Sequence, residues 1–443
     1  MEVSRIRALR GPNLWSRHTA IEAVVSCDES ERRIGNLAGF EDRLRARFPE
    51  IGFLAPTSHA EDLAMAHVLE FAALGLQAQA GCPVTFGRTT ATIEPGIYQV
   101  VVEYSEEAVG RLAFELAEQL CRAALEDLSF DAVVSIERLR ELDEDERLGP
   151  STGAIVQAAV ARGIPYRRLT SGSLVQFGWG SRQRRIQAAE TDRSSAIAEA
   201  IAQDKELTKK LLSAGGVAVP RGRPVADAED AWRAAREIGG PVVVKPQDGN
   251  QGKGVAVNME TREQVMAAHA VAAEFGSSVL VESYLPGQDY RMLVVGDRLI
   301  AAARRDPPQV FGDGTHTVRQ LVDQVNADPR RGTGHATSLT KIRFDDTALA
   351  TLAKQGFDAD SVPPRGARIV LRNNANLSTG GTATDVTDDV HPDLAAAAVA
   401  AAQMVGLDIC GIDVVCDSVL VPLEDQGGGI VEVNAAPGLR MHL

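Results

Sequence analysis

The sequence predicts a mixed fold, α/β and α+β, in which an N-terminal α/β domain precedes a larger second unit. The chain has 443 residues, which is long enough for two or three domains. Short apolar runs rich in valine alternate with segments of helical periodicity along most of its length. One valine run within residues 241–255 opens into a glycine-rich loop, which predicts a buried strand followed by a loop that approaches a ligand.

The composition indicates a globular protein with a large core, since 44% of the residues are hydrophobic and 24% are charged. The net charge of -14 argues against general nucleic-acid binding, because phosphate backbones require clustered lysine and arginine. The five cysteines lack zinc spacing and are typical of free thiols in a reducing cytoplasm. No run approaches the roughly 20 apolar residues that span a bilayer, so we expect a cytoplasmic protein without a membrane partner.

Residues 1–150 are predicted to form the first domain. Residues 60–80 form its clearest helix, because their apolar side chains recur at the spacing of one helical face. The acidic, arginine-rich residues 137–147 are interpreted as a solvated helix or a linker. The remaining predicted elements are strands at 3–9 and 97–104 and a helix at 106–125.

Residues 151–443 are predicted to form the second unit. It begins with a helix at 154–162 and strands at 164–169 and 174–177, followed by three arginines, Arg182, Arg184 and Arg185. Those arginines form either a solvated turn or an anion contact, and the sequence favours neither. Asp204 is predicted to cap a helix that Gly215 and Gly216 end.

The glycine-rich stretch lies at the centre of this unit. A helix at 226–238 leads into the valine strand, and a strand at 255–258, a helix at 261–275 and a strand at 278–282 follow. Gly296 and Asp297 predict a tight hairpin between strands at 290–295 and 298–303. The later predicted elements are helices at 318–326, 347–356 and 392–405, a polar region at 328–341, and strands at 368–372, 409–416 and 430–434.

The glycine loop matches neither common nucleotide fingerprint. A Walker loop requires serine or threonine after its lysine, whereas Lys253 precedes Gly254. A dinucleotide-binding turn opens a helix, whereas the residues after Gly254 have the pattern of a strand. Taken alone, the loop is therefore as consistent with a structural hairpin as with a phosphate site.

Other polar residues strengthen the phosphate interpretation. Lys205 begins one predicted helix and Lys245 ends the valine strand, while Glu282 ends a later strand where it could accept from an adenine amino group or a ribose hydroxyl. Near the end of the chain, Glu432 and Asn434 lie two residues apart, so they share one face of a strand. With Asp413 they supply the hard oxygen ligands that suit Mg²⁺, and the whole set indicates an ATP and Mg²⁺ site.

Several motifs resemble known ligases. The order DKELTK, VVVKP, glycine-rich loop, VESYLPGQDYR, GIDVV and VEVNAAPG resembles the ATP-grasp ligases. The stretches FGRTTATIEPGIYQVVVEY, NLSTGGTATDVTDDVHP and VNAAPGLRMH resemble the cyanophycin synthetases more specifically, and the match extends over nearly the whole chain. The resemblance implies that the second unit is an ATP-grasp fold, in which two α+β lobes grip ATP, with a mobile lid lobe at about 205–285.

The resemblance implies a mechanism in which ATP phosphorylates a carboxylate and an amine attacks the acyl phosphate. Lys205 and Lys245 would hold phosphate oxygens, Glu282 and Asp289 would contact the nucleotide, and two Mg²⁺ ions would be bound. The loop implied to close over the phosphates comprises Asn250, Gln251, Gly252, Lys253 and Gly254. The metal ligands would be Asp413, Glu432 and Asn434. The residues facing the acyl phosphate would be Arg372, Asn376, Ser378, Thr379, Gly380 and Gly381.

The substrates implied are amino acids and peptides. Arg440 could hold a substrate carboxylate through its planar fork, and Arg291 either contacts substrate or forms a surface salt bridge. The leading hypothesis is addition of aspartate or a β-aspartyl-arginine dipeptide to a cyanophycin-like peptide. The alternatives are a stand-alone small-molecule ligase and an inactive ATP-binding scaffold. Relatives form dimers or tetramers, so a homo-oligomer is expected.

Two features depart from the family pattern. The sequence ends after the proposed metal strand and contains no second, Mur-ligase-like phosphate loop, so it is either a fragment or a stand-alone ligase. Some relatives carry an H-x-x-E-H zinc motif in the first domain, whereas this chain has His67, Glu70 and Phe71. We therefore expect neither a zinc site nor peptidase activity in that domain.

Overall fold

The computed structural model describes residues 1–51, 63–247, 254–332 and 339–443. The chain divides into two compact units, Met1–Arg147 and Leu148–Leu443. Both combine helices with antiparallel sheets, so the mixed fold class predicted from the sequence is confirmed.

The α-helices of the described residues are α1 (Phe40–Arg47), α2 (Met65–Gln79), α3 (Glu107–Glu126), α4 (Ala132–Glu146), α5 (Pro150–Ala161), α6 (Ala196–Gln203), α7 (Lys205–Ala214), α8 (Ala228–Ile238), α9 (Arg262–Ala273), α10 (Val318–Asn326), α11 (Asp346–Lys354), α12 (Pro392–Val405) and α13 (Leu423–Gln426).

The strands of the described residues are β1 (Glu2–Leu9), β2 (Ala20–Ser26), β3 (Gly87–Ala91), β4 (Ile97–Glu103), β5 (Tyr166–Arg168), β6 (Leu174–Phe177), β7 (Arg184–Gln187), β8 (Glu190–Thr191), β9 (Gly222–Val225), β10 (Val242–Pro246), β11 (Ala256–Met259), β12 (Val279–Ser283), β13 (Gln288–Val295), β14 (Arg298–Asp306), β15 (Gln309–Phe311), β16 (Arg331–Gly332), β17 (Leu339–Thr340), β18 (Arg368–Val370), β19 (Thr382–Asp385), β20 (Ile409–Cys416) and β21 (Gly429–Ala435).

The first unit is built on an antiparallel sheet with strand order β1-β2-β4-β3. Helix α3 buries Val109, Ala113, Leu116 and Leu120, whose spacing of three or four residues forms one apolar stripe. These side chains join the same core as α2 and the alternate residues of β2. The core of this unit therefore follows directly from helix and strand periodicity.

Two predicted elements of the first unit have different first and last residues in the structure. The predicted helix at 60–80 corresponds to α2, which starts at Met65, and residues 60–62 lie outside the described residues. The acidic segment at 137–147 belongs to a longer helix, α4, capped by Asp131 and anchored by the fully buried Leu139. The structure therefore shows the helix, one of the two predicted alternatives, although Asp143 is buried and accepts from Ser105 Oγ.

The second unit is organised around a five-stranded antiparallel sheet with order β19-β14-β13-β20-β21. Ile412 and Val414 point into a core that they share with the alanine-rich helix α12. Asp413 lies between them and therefore faces the opposite side of the sheet. The hairpin predicted at Gly296 and Asp297 is confirmed as β13 and β14.

A separate antiparallel sheet, β11-β10-β12-β9, carries the valine strand. Val242 and Val244 pack with helices α8 and α9, which leaves Lys245 on the other face of β10. The lid lobe was expected to begin near residue 205. Helix α7, however, places Leu212 in the core of the five-stranded sheet, so the separate apolar core of this sheet starts only at Val225.

Candidate active site

The register of three neighbouring strands brings polar residues onto one face of the five-stranded sheet. Asp413 on β20 lies opposite Glu432 on β21 and opposite Arg291 on β13. Asn434 lies opposite Gly411, two residues from Asp413, and its Nδ2 is 3.4 Å from Asp413 Oδ2. Paired residues of adjacent strands present their side chains on the same face, so these groups converge.

Asp413 is buried and held by two guanidinium groups. Arg291 donates to both carboxylate oxygens, with 3.1 Å between Nη2 and Oδ2. Arg305 Nη2 lies 3.4 Å from Asp413 Oδ1. Burial alone would raise the pKa of Asp413, but the charges of Arg291 and Arg305 hold that pKa below its usual value. Asp413 is therefore an ionised carboxylate.

The donor atoms fit a hard divalent cation. Asp413 contributes an ionised carboxylate, and Glu432 contributes a second, partly exposed carboxylate on the next strand. Asn434 adds an amide oxygen to the same group, since its contacts to Gly411 and Asp413 use its amide nitrogen. Carboxylate and amide oxygens are the ligands that Mg²⁺ prefers. The residues present are thus suited to Mg²⁺.

Three lysines and two glutamates link helix α7 to both sheets. Lys245 Nζ lies 2.8 Å from Glu282 Oε2, and Lys209 donates to the other oxygen of the same carboxylate. Lys205 Nζ lies 3.6 Å from Glu432 Oε1. Lys205 and Lys209 occupy one face of α7 because they are four residues apart. The cluster connects the lid strands to the proposed metal ligands.

The cluster is electrostatically unusual because its charges are buried. Glu282 is 3% exposed and Lys209 is 9% exposed. Burial, together with the charge of Lys245, lowers the pKa of Lys209, and burial also lowers the pKa of Lys245. Glu282 is the carboxylate that offsets both ammonium groups. Helix α7 starts at this cluster because Asp204 caps it, accepting from the backbone of Glu206 and Leu207.

The structure places Glu282 differently from the sequence-based expectation of a nucleotide acceptor. Both of its oxygens are engaged by lysines, so its immediate partners are protein ammonium groups. Lys209 was missed by the sequence analysis, although its i+4 spacing from Lys205 is a detectable signal. Arg305 was also missed, and it lies opposite Asp289 in the β13–β14 hairpin.

The glycine-rich loop is only partly described. Asn250, Gln251, Gly252 and Lys253 lie outside the described residues. Gly254 has φ +70°, and a Cβ at this position would lie 2.9 Å from the ring of Phe275. Only glycine combines this backbone conformation with such a close approach. The end of the loop is therefore fixed against helix α9's C-terminal side.

The segment at 372–381 forms a tight polar turn. Asn376 precedes a short 3₁₀ helix, and its carbonyl accepts from Gly381 N at 3.1 Å. Thr379 Oγ1 donates to Asn374 Oδ1 at 2.9 Å, whereas Ser378 is exposed. Gly380 has φ +101° and a carbonyl that accepts from the buried Arg331 at 3.0 Å. Several contacts thus fix the backbone of this turn.

Two predicted arginines lie beside this segment rather than in the lysine cluster. Arg372 forms a salt bridge with Asp345 at the start of α11. Arg440 Nη2 donates to Thr340 Oγ1 at 3.1 Å, and the carbonyl of Thr340 accepts from Arg331. The contacts through Arg331 therefore connect Arg440 to the 372–381 turn.

Gly411 allows the close packing of Arg291. A Cβ at residue 411 would lie 2.9 Å from Arg291 Nη1 and 2.8 Å from Pro437 Cβ. Real Cβ atoms do not approach other atoms this closely, so a side chain at residue 411 would displace Arg291 from Asp413. Glycine at this strand position keeps the guanidinium over the sheet.

The residues of the incomplete zinc motif have structural partners. His67 Nδ1 accepts from Ala64 N at 3.2 Å, and Glu70 Oε2 accepts from Thr89 Oγ1 at 2.6 Å. Burial lowers the pKa of His67 and raises the pKa of Glu70. Within the ranges that the structure covers, no three His, Cys, Asp or Glu side chains form a metal-binding group.

Comparison with protein-family models identifies two segments. Residues 24–126 match the cyanophycin synthase-like N-terminal domain. Residues 203–304 match the ATP-grasp (A) domain of phosphoribosylglycinamide synthetase. The first match lies in the first unit, and the second contains the lysine cluster and the β13–β14 hairpin.

The curated relatives include cyanophycin synthetases. The chain is 41% identical to that of Nostoc sp. and 42% identical to that of Synechocystis sp., in both cases over its whole length. It spans about half of those proteins, 51% and 53% respectively. The bifunctional glutathione biosynthesis protein GshAB of Clostridium perfringens is 32% identical over 67% of this chain and 39% of that protein.

The solved structures support the same fold. A bifunctional glutathione synthetase from Pasteurella multocida superposes with a TM-score of 0.52 and 28% identity. The match covers 74% of this chain and 46% of that chain. The second unit therefore contains an ATP-grasp fold. None of the helices in the described ranges has the length and hydropathy required to cross a membrane.

Proposed function

Because the chain belongs with the N-terminal half of the cyanophycin synthetases, we propose that it is an ATP-dependent carboxylate–amine ligase. In the proposed reaction, a substrate carboxylate attacks the γ-phosphorus of ATP and releases ADP. An amine then attacks the carbonyl carbon of the acyl phosphate, which forms an amide and releases phosphate. The convergence of the lysine cluster on Asp413, Glu432 and Asn434 is the observation that supports this proposal most strongly.

The lysines bind and orient the triphosphate in this proposal. Lys245 and Lys205 supply ammonium groups to phosphate oxygens, and Lys209 holds Glu282 so that Lys245 keeps its position. Asp413, Glu432 and Asn434 would hold two Mg²⁺ ions, which neutralise phosphate charge when bound. Catalysis of phosphoryl transfer depends mainly on such positioning and fixed charge, so no enzyme nucleophile is required.

The 372–381 turn is proposed to face the acyl phosphate. Arg372 and the exposed Ser378 hydroxyl are proposed to stabilise the oxyanion that forms when the amine attacks. Fixed donors aimed at developing charge contribute more than mobile ones, because they need no reorganisation during the reaction. The backbone contacts of Gly380 and Gly381 fix the turn that carries Ser378, which supports this role.

The proposed substrates are a peptide carboxylate and an amino-acid or dipeptide amine. Full-length similarity to cyanophycin synthetases favours a cyanophycin-like peptide that accepts aspartate or a β-aspartyl-arginine dipeptide. Arg440 is a candidate for binding a substrate carboxylate, since a guanidinium binds both oxygens of a carboxylate. Arg291, the other sequence-predicted candidate, already binds both oxygens of Asp413. A homo-oligomeric state, dimer or tetramer, remains a prediction.

A second function is supported by a separate observation. The chain shares 32% identity over two thirds of its length with GshAB, a bifunctional protein of glutathione biosynthesis. A stand-alone ligase for small amino acids and peptides is therefore the alternative proposal. An inactive ATP-binding scaffold is less favoured, because the described lysines and the proposed metal ligands are all in place.

ADP release measured over a panel of amines and peptides separates these functions. The leading proposal expects turnover with aspartate or β-aspartyl-arginine only when a cyanophycin-like primer is added, with mass spectrometry detecting the elongated peptide. Turnover with small amino acids alone would instead establish the alternative. ATP binding without ADP release under every condition would contradict both ligase proposals.

A further inference from the structure

One part of the second unit has a charge opposite to that of the whole chain. Residues 148–189 contain six arginines and no aspartate or glutamate, although 60 of the 443 residues are acidic. Most of these arginines lie on or beside the antiparallel sheet β5-β6-β7-β8. We call the exposed arginines of this sheet and its β6–β7 connection the basic sheet. They are Arg167, Arg182, Arg184 and Arg185.

The strand register arranges part of the basic sheet as a row. Arg167 pairs with Gln176, and Gln176 pairs with Arg185 on the next strand. The three side chains therefore lie on one face, with the buried Gln176 between two exposed arginines. Neighbouring strands are about 4.8 Å apart, so the backbones that carry the two arginines are about 10 Å apart.

The four arginines of the basic sheet are available to an external anion. No described carboxylate forms a salt bridge with any of their side chains, whereas Arg223 and Arg291 elsewhere in the unit are paired. Trp179 lies in the β6–β7 connection and is 61% exposed. An aromatic ring beside guanidinium groups can cover the apolar part of a peptide while the arginines bind its carboxylates.

The basic sheet is anchored beside the segment that carries Arg440. Val156 of helix α5 packs against Val175 and Ile186 of the sheet. At the start of α5, Ser151 Oγ accepts from Leu439 N at 2.9 Å. A peptide bound along the sheet would therefore be held next to the proposed carboxylate-binding end of the active site.

We propose that the basic sheet binds the carboxylate-bearing side of an acidic peptide substrate. This inference rests on the proposed ligase function and assigns the substrate a second contact outside the reacting centre. Alternate residues of an extended peptide lie about 7 Å apart on one side, so successive carboxylates can reach different arginines. The chain as a whole has a net charge of -14, so an acidic peptide is repelled on average by the protein and favours a basic region such as the sheet.

The test uses a fluorescein-labelled peptide of ten aspartates and fluorescence anisotropy at low ionic strength. The full chain is compared with a variant in which the basic sheet is neutralised by R167Q, R182Q, R184Q and R185Q. The matched control removes four exposed arginines that lie outside the sheet and likewise form no described salt bridge, through R221Q, R236Q, R298Q and R365Q. Both variants change the net charge equally.

The variant with the neutralised sheet is expected to bind the peptide about tenfold more weakly or worse, because four modest ion pairs between arginine and peptide carboxylate are lost together. The control variant should bind it less than about threefold more weakly. The lysine variants R167K, R182K, R184K and R185K should restore most of the affinity. Equal loss in both charge variants would overturn the proposal, as would tighter binding of a ten-nucleotide DNA strand than of the peptide. If the fourfold variant does not fold, the double variant R184Q/R185Q must still weaken binding more than R298Q/R365Q.

The experiment separates this proposal from the ligase function. K245M should lower kcat/KM for ATP in ADP release about 100-fold and leave the affinity for the aspartate peptide unchanged. The variant with the neutralised sheet should release ADP normally with a short acceptor peptide. Its KM for a long acidic acceptor peptide should rise. Unchanged KM values for both acceptors would contradict a substrate contact at the sheet even if the ligase activity itself is established.

Discussion

Lys245 and Glu282 form a salt bridge across neighbouring strands, with Nζ 2.8 Å from Oε2. The residues are not directly opposite, since Val243 is the strand partner of Glu282. The bridge therefore runs diagonally along one face of the sheet, and Lys209 completes it from helix α7. One carboxylate thus holds two cations from different parts of the domain.

Replacing Glu282 with glutamine should destabilise the second unit. E282Q removes the carboxylate charge that contacts both Lys209 and Lys245, and breaking a buried ion pair costs about 3 kcal/mol or more. Urea unfolding measures this loss. E424Q changes an exposed glutamate without a described salt bridge and should shift the free energy of unfolding by less than about 0.5 kcal/mol. Similar values for both variants would contradict the structural role of Glu282.

Replacing Lys245 with methionine should impair ATP use. K245M keeps the apolar stem but removes an ammonium proposed to bind phosphate, so kcat/KM for ATP should fall about 100-fold. Coupled measurement of ADP release tests this value. K210M is the control, because Lys210 is 70% exposed and pairs with Glu206 on the surface of α7. A loss confined to peptide KM would disprove the phosphate role.

Replacing Asp413 with asparagine should weaken metal binding. D413N is nearly isosteric but lacks the charge that attracts Mg²⁺, so the Mg²⁺ concentration for half-maximal activity should rise about tenfold or more. Titration with Mn²⁺ followed by electron paramagnetic resonance gives a second readout in the presence of ADP. D417N alters an exposed aspartate nearby and should leave both measurements unchanged.

Replacing Arg372 with methionine should slow the reaction without weakening nucleotide binding. The guanidinium is proposed to act on the acyl phosphate, so R372M should lower kcat about 100-fold while KM for ATP stays within about threefold. Steady-state kinetics distinguishes these parameters. R368M, on the exposed side of the same segment, is the control. If R372M chiefly raised KM for ATP, Arg372 would belong to the nucleotide site.

The stability of the first unit should depend on His67. Burial lowers the pKa of His67 in the folded state, so the unfolded chain takes up the proton first as the pH falls. This contribution to stability is complete above about pH 6.5 and declines below it. H67Q retains a side-chain acceptor for Ala64 N, as glutamine does in a capping box, but cannot be protonated.

Thermal unfolding at pH 8 and pH 5 tests this prediction. Wild type and H67Q should have similar Tm values at pH 8, and wild type should lose more stability at pH 5. The same loss in both proteins would assign the acid sensitivity to other groups. The difference between the two proteins isolates His67 because every other titrating group is shared.

The sequence anticipated elements whose signals are local. The hairpin at Gly296 and Asp297 and the helix cap at Asp204 follow from turn and capping chemistry and are confirmed. The contact of Arg305 with Asp413 depends on a register shift between Leu293 and Val294. That irregularity places Arg305, instead of Arg304, opposite Asp289. No turn residue in the sequence predicts this register shift.

The partners of Glu282 could not be predicted from the sequence either, because they lie far from it along the chain. Lys209 on α7 and Glu282 on β12 are separated by 73 residues along the chain and meet only in the tertiary structure. Periodicity assigned each residue to an element but carries no information on contacts between elements. Long-range electrostatic partners therefore require the tertiary structure.

The glycine at residue 411 has a practical consequence for directed evolution. A Cβ there would collide with the guanidinium of Arg291, so positions 291 and 411 cannot be randomised independently. Libraries that vary residue 411 will consist largely of variants whose active-site strands no longer fit, because a Cβ there would also lie 2.8 Å from Pro437 Cβ whatever residue stands at 291. Diversity aimed at new amine substrates should therefore leave Gly411 unchanged.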